Sequence, residues 1–66
     1  MDKIKAKIIA TFIADIKHLK GAPATPYNKA EGRAIIDHYT GHLQMADLSL
    51  SQQAARDVLA VAYKSI

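Results

Sequence analysis

Residues 3–20 read KIKAKIIATFIADIKHLK, and the spacing of their apolar side chains decides the fold class. At about 100° per residue, Ile8, Phe12, Ile16 and Leu19 fall on one line down a helix, and Ile4, Ile9 and Ile13 flank it. Lys3, Lys7, Lys17 and His18 occupy the opposite side, with Ala6, Ala10 and Ala14 among them. A strand reading fits the alternation from Lys3 to Ile8 but fails at Ile8-Ile9 and again at Ile13-Ala14. The stretch is therefore an amphipathic helix with a broad apolar face and a basic back.

Working outward, Gly21 suits the left-handed residue that closes a helix, and Lys17, His18 and Lys20 stand in the last turn, where cations favour the negative end of the helix dipole. Thr25-Pro26 reads as a cap followed by a first-turn proline, with Asn28 and Glu31 as an alternative capping pair. A second helix follows to Ala46, with Ile35, Ile36, Tyr39, Leu43 and Ala46 on one face and Gly32 among them as a place for close helix contact. A break at Thr40-Gly41 is its main alternative. Ser49 with Gln52, or Ser51 alone, caps a third helix whose apolar arc (Leu50, Ala54, Ala55, Val58, Leu59, Val61, Ala62 and Tyr63) covers more than half its circumference.

The pattern predicts an all-α fold, a small antiparallel three-helix bundle with helices over 2–20, 26–46 and 50–65, in one domain spanning 1–66. Connections of a few residues make consecutive helices antiparallel neighbours, a helical hairpin followed by the C-terminal helix. Apolar arcs this wide exceed what three short helices bury on one another, so a two-fold dimer is expected, with Ile9, Ile13, Leu59 and Tyr63 at its interface.

Composition narrows the function classes. A chain of 66 residues without cysteine has neither disulfide staples nor thiolate metal sites, which favours a cytoplasmic setting. Lysines before Ile8–Ala14 and the triplet Ala22-Pro23-Ala24 mimic a secretion signal, but Asp15, Lys17, His18 and Lys20 interrupt the region that such a signal keeps apolar. No stretch approaches the length of a membrane span. The whole net charge of +3 sits in residues 1–20, because Lys29, Arg33, Arg56 and Lys64 are balanced by Glu31, Asp37, Asp47 and Asp57.

His38 and His42, four apart on one helix face, share the spacing of a metal-binding pair. They lack a third ligand and the intervening glutamate of a zinc protease helix, so neither metal nor cofactor is expected. No nucleophile lies beside a base and no glycine-rich loop is present to hold phosphate, which argues against an enzyme. The helix around Ala54 and Ala55 opens like a helix-turn-helix but lacks room for a recognition helix. The expected function is that of a small non-enzymatic regulator or adaptor that binds another protein. In size and layout it is similar to the helical dimers carried by phages and plasmids, and no residue role is taken from them. Its expected partner-binding residues are Lys3, Lys7, Lys17 and His18 on the basic strip, with Tyr27, Tyr39 and Tyr63 in a tyrosine patch. The alternative is a nucleic-acid binder using the basic face of the first helix.

Overall fold

The computed structural model describes residues 3–66. Helix α1 spans Lys3–Ile16, α2 spans Pro26–Ala46 and α3 spans Gln52–Lys64, and no strand occurs among the described residues. The expected start of the first helix at residue 2 lies outside them. Every apolar stripe read from the sequence finds a partner: Phe12 and Ile16 from α1, Tyr39 and Leu43 from α2, and Ala55 and Leu59 from α3 form the buried core.

Contacts along the helices give their directions. Lys5 near the start of α1 reaches Asp47 just past α2, and His18 beyond α1 reaches Glu31 near the start of α2. These two helices are therefore antiparallel. Arg56 in α3 pairs with Asp37 in the middle of α2, and Lys20 meets Tyr63 at the end of α3, so α3 runs against α2 and alongside α1. At 1.5 Å per residue, α2 with its 21 residues is about 31 Å long. That nearly matches the 34 Å extent of the bundle, making α2 the spine that the shorter helices flank.

Local chemistry sets the ends. Thr25, not Asn28, caps α2: its hydroxyl accepts from the Asn28 amide at 3.1 Å, with Pro26 in the first turn. Asn28 is thereby free to donate its side-chain amide back to the Pro23 carbonyl at 2.9 Å, which pins the connector. Ser51 caps α3 by accepting from the Ala54 amide at 3.0 Å. Asp47 holds the second connector, accepting from both the amide and the hydroxyl of Ser49, while its other carboxylate oxygen takes a 2.8 Å bond from Lys5 Nζ. The Lys5 bond, with help from Ser49, holds the Asp47 carboxyl down at about 2. Thr40, buried in α2, returns its hydroxyl to the Ile36 carbonyl at 2.7 Å.

Three expectations change in detail, the first being the third helix, which spans Gln52–Lys64 and not 50–65. The first helix does not stay α-helical to Lys20; Lys17–Leu19 tightens into a 3₁₀ turn, in which the Lys20 amide bonds the Lys17 carbonyl at 3.0 Å. Such tightening satisfies carbonyls that a helix end leaves without a partner. Gly21 then reverses the chain at φ +82°, as the closing-glycine reading required. Gly32 is not needed for clearance, because a Cβ there would stand 3.5 Å from Leu19 Cδ1, an ordinary contact.

Helix α2 also continues unbroken through Gly41, whose Cβ position faces open space. A glycine inside an exposed helical surface costs about 1 kcal/mol relative to alanine. Gly41→Ala should therefore raise the stability by about that amount and the melting temperature by about 4–8 °C for a chain of this size. A thermal melt followed by circular dichroism checks it; no rise would mean that α2 opens at this point in solution.

Candidate binding groove

The register of α3 against α2 creates the site. α3 runs antiparallel to α2 with Arg56 beside Asp37, which brings Tyr63 at its end to the first turns of α2. The 3₁₀ turn and the connector behind Gly21 close one side of the space between them. The result is an open groove of about 600 Å³. Ile16, Leu19, Ile36 and Tyr63 supply apolar lining, and Lys29, Arg33 and Arg56 stand at its rim.

The electrostatics of the rim differ from the one-dimensional charge count. Lys29 and Arg33 are exposed, one turn apart on α2. Arg56 is brought to them from α3 and shares Asp37 at 3.0 Å, leaving a net positive edge. Lys20 closes the end of the groove by lying over the Tyr63 ring, 4.4 Å from its centroid, and donating to the Tyr63 carbonyl at 3.2 Å. An apolar floor with a cationic edge suits an anionic, partly aliphatic guest.

The residues expected at a partner surface fall into separate places. Lys3 and Lys7 on α1 and Lys17 in the 3₁₀ turn are exposed, and their ammonium groups have no partner among the described residues. His18 is occupied by Glu31 at 3.3 Å. Glu31 is available for this because Thr25 has taken the capping role. The tyrosines do not form one patch. Tyr27 is 74% exposed at the start of α2, whereas Tyr63 lines the groove. Tyr39 is buried, its ring edge-on to Phe12 and its hydroxyl donating to the Asp15 carboxylate. It stands on the same line of α2 as Leu43, so the packing that makes the core removes it from any partner.

Leu59 is likewise wholly buried within its own chain, which corrects its placement at an interface between copies. The apolar arc of α3 is too wide for sequence to tell which part faces inward, and α1 and α2 take its centre. Ile9 and Ile13 remain half-buried. The rings of His38 and His42 lie 4.4 Å apart by centroids on the exposed side of Tyr39. Among the described residues, no group of three or more histidine, cysteine or acidic side chains could hold a metal ion. No helix among them is long and apolar enough to cross a membrane.

Lys29, Arg33, Ile36 and Arg56 were not among the residues that the sequence put at a partner surface. The only signal was the spacing of Lys29, Gly32, Arg33 and Ile36 on one side of α2; nothing pointed to Arg56. No family model matches this chain, and no curated protein or solved structure matches it either. The reading of the groove rests on its geometry and charge.

Proposed function

We propose that this chain is a non-enzymatic cytoplasmic adaptor that works as a pair of identical copies, each holding a segment of another protein in the groove at the start of α2. The observation that carries this reading is the combination of aliphatic lining with the cations Lys29, Arg33 and Arg56 at one opening. Charge complementarity specifies the segment as acidic with aliphatic anchors, since buried aliphatic groups supply affinity and the rim supplies register. Tyr63 at the end of the groove is the anchor residue on this side, a type favoured in binding patches.

The test is a titration with acidic peptides carrying leucine or isoleucine, against the same peptides with lysine in place of glutamate. Binding is expected to move the NMR signals of Leu19, Ile36 and Tyr63, and Lys29→Glu with Arg33→Glu should weaken it about tenfold or more. Both positions are exposed, so the fold should be unchanged. Equal binding of the lysine peptides, or signal changes elsewhere only, refutes the groove as the site.

A second reading is favoured by a separate observation, the exposed ammonium groups of Lys3 and Lys7 on α1 and of Lys17 in the turn that follows it, which have no partner among the described residues. Contact with nucleic acid through three or four phosphates predicts that log affinity falls with log salt at a slope of roughly −3. Tight duplex binding with that slope, abolished by changing the three lysines to glutamate and untouched by the groove substitutions, would replace the first reading.

A further inference from the structure

A glycine inside a helix weakens it relative to alanine, so its presence calls for a reason. Gly32 lies well inside α2, and its own chain supplies none. The backbone does not require it, since among the described residues only Gly21 has a positive φ. Packing does not require it either. Outside its own turn of helix, a Cβ at Gly32 would meet a single heavy atom within 4 Å, Leu19 Cδ1 at the ordinary distance of 3.5 Å. The rest of the position opens into the groove, which Gly32 lines. Gly41 is equally unconstrained by its chain but stands outside the groove.

The surroundings of Gly32 give the missing Cβ a use. Asn28, Gly32 and Ile36 are spaced four apart and form one ridge of α2, and Lys29 and Arg33 stand on the ridge beside it. Both ridges line the groove. The first is interrupted at Gly32, where helix backbone lies bare. Asn28, fixed by its 2.9 Å bond to the Pro23 carbonyl, bounds this gap on one side, and half-buried Ile36 bounds it on the other. Leu19 forms its wall. A gap in a helix ridge is the place where a side chain of a second element seats when two surfaces pack.

We infer that Gly32 selects the anchor residue of the guest: a leucine or isoleucine side chain seats on the bare backbone of α2 at Gly32, between Leu19 and Ile36. The inference rests on the reading of the groove as a site for an acidic segment with aliphatic anchors, and adds the position that distinguishes one aliphatic side chain from another. A branched side chain of that length covers both Leu19 and Ile36, which a shorter one leaves partly in water. Lys29 and Arg33 flank the gap within one turn and are exposed, so a carboxylate close to the anchor in the guest meets a cation while the anchor stays seated.

The experiment compares the native, Gly32→Ala and Gly41→Ala chains, titrated with acidic peptides that are identical except for leucine or valine at the anchor. Each substitution replaces a helical glycine and is expected to raise the melting temperature by about 4–8 °C. The native chain should prefer the leucine peptide about tenfold, the effect of one methylene in a fitted apolar site. Gly32→Ala should weaken binding of the leucine peptide about tenfold and abolish its preference over valine, because the added methyl takes the room of the larger side chain. Gly41→Ala should bind both peptides as the native chain does. A Gly32→Ala chain that melts higher and binds both peptides unchanged overturns the inference, and the groove itself stands if Lys29→Glu with Arg33→Glu still weakens binding. Equal loss for both peptides puts the anchor elsewhere in the groove and overturns it too. So does a lower melting temperature for Gly32→Ala, since the glycine would then serve its own chain. If the native chain binds neither peptide, the reading of the groove falls and the inference falls with it.

Discussion

Phe12→Ala should leave a large unfolded fraction at room temperature. Phe12 is wholly buried and is one of the largest side chains enclosed by all three helices. Truncating a buried phenylalanine costs about 3–5 kcal/mol, because the neighbours close only part of the cavity. Its ring also stands edge-on to Tyr39 at 5.7 Å and 68°, a geometry worth about 1 kcal/mol beyond area alone. A chain of this length has total stability on the order of 3–10 kcal/mol. The loss is therefore comparable with everything the fold has. Urea unfolding followed by circular dichroism measures it, and Ile4→Ala, at a position 65% exposed, is the control expected within about 0.5 kcal/mol of the native chain. If Phe12→Ala cost no more than Ile4→Ala, the packing of α1 on α2 and α3 would be wrong.

Alkaline pH should unfold the protein through Tyr39, and Tyr39→Phe should remove that part of the loss. The bond from the Tyr39 hydroxyl to the Asp15 carboxylate raises the phenol above its usual 10.0, and burial and repulsion by Asp15 act in the same direction. The folded state thus holds this proton more tightly than the unfolded chain does. Stability from the bond is complete below pH 10 and declines as pH rises through the higher native value. At neutral pH the same substitution should cost about 1 kcal/mol, the usual net worth of one hydrogen bond. Lysines ionise in the same range, so the readout is the difference between native and Tyr39→Phe chains across an alkaline series. Tyr27→Phe, at an exposed position, should leave the series unchanged. An alkaline loss of equal size with Phe at position 39 would show that the Asp15 bond is not its origin.

The sequence was enough to give the number of helices, both limits of α2, and the limits of α3 to within two residues. Their apolar stripes repeat at the helical period, and the stops are chemical: Gly21 at positive φ, Pro26 behind the Thr25 cap, and Ser51 before α3. Each of these acts within a few residues of chain, so a linear reading captures it. It could not decide which flank of a broad stripe faces inward. Leu59 and Tyr39 were expected at partner surfaces and are buried, because the choice depends on how the other two helices approach. Charge shows the same division. Lys29, Arg33 and Arg56 cancel against acids along the chain, yet they converge at one groove, since the antiparallel packing of α3 on α2 carries Arg56 to the side of Lys29 and Arg33 and Asp37 answers only Arg56. Periodicity and capping are properties of neighbours in sequence, whereas the groove depends on the register of α3 against α2 and on residues distant in the chain, so only the tertiary structure could place it.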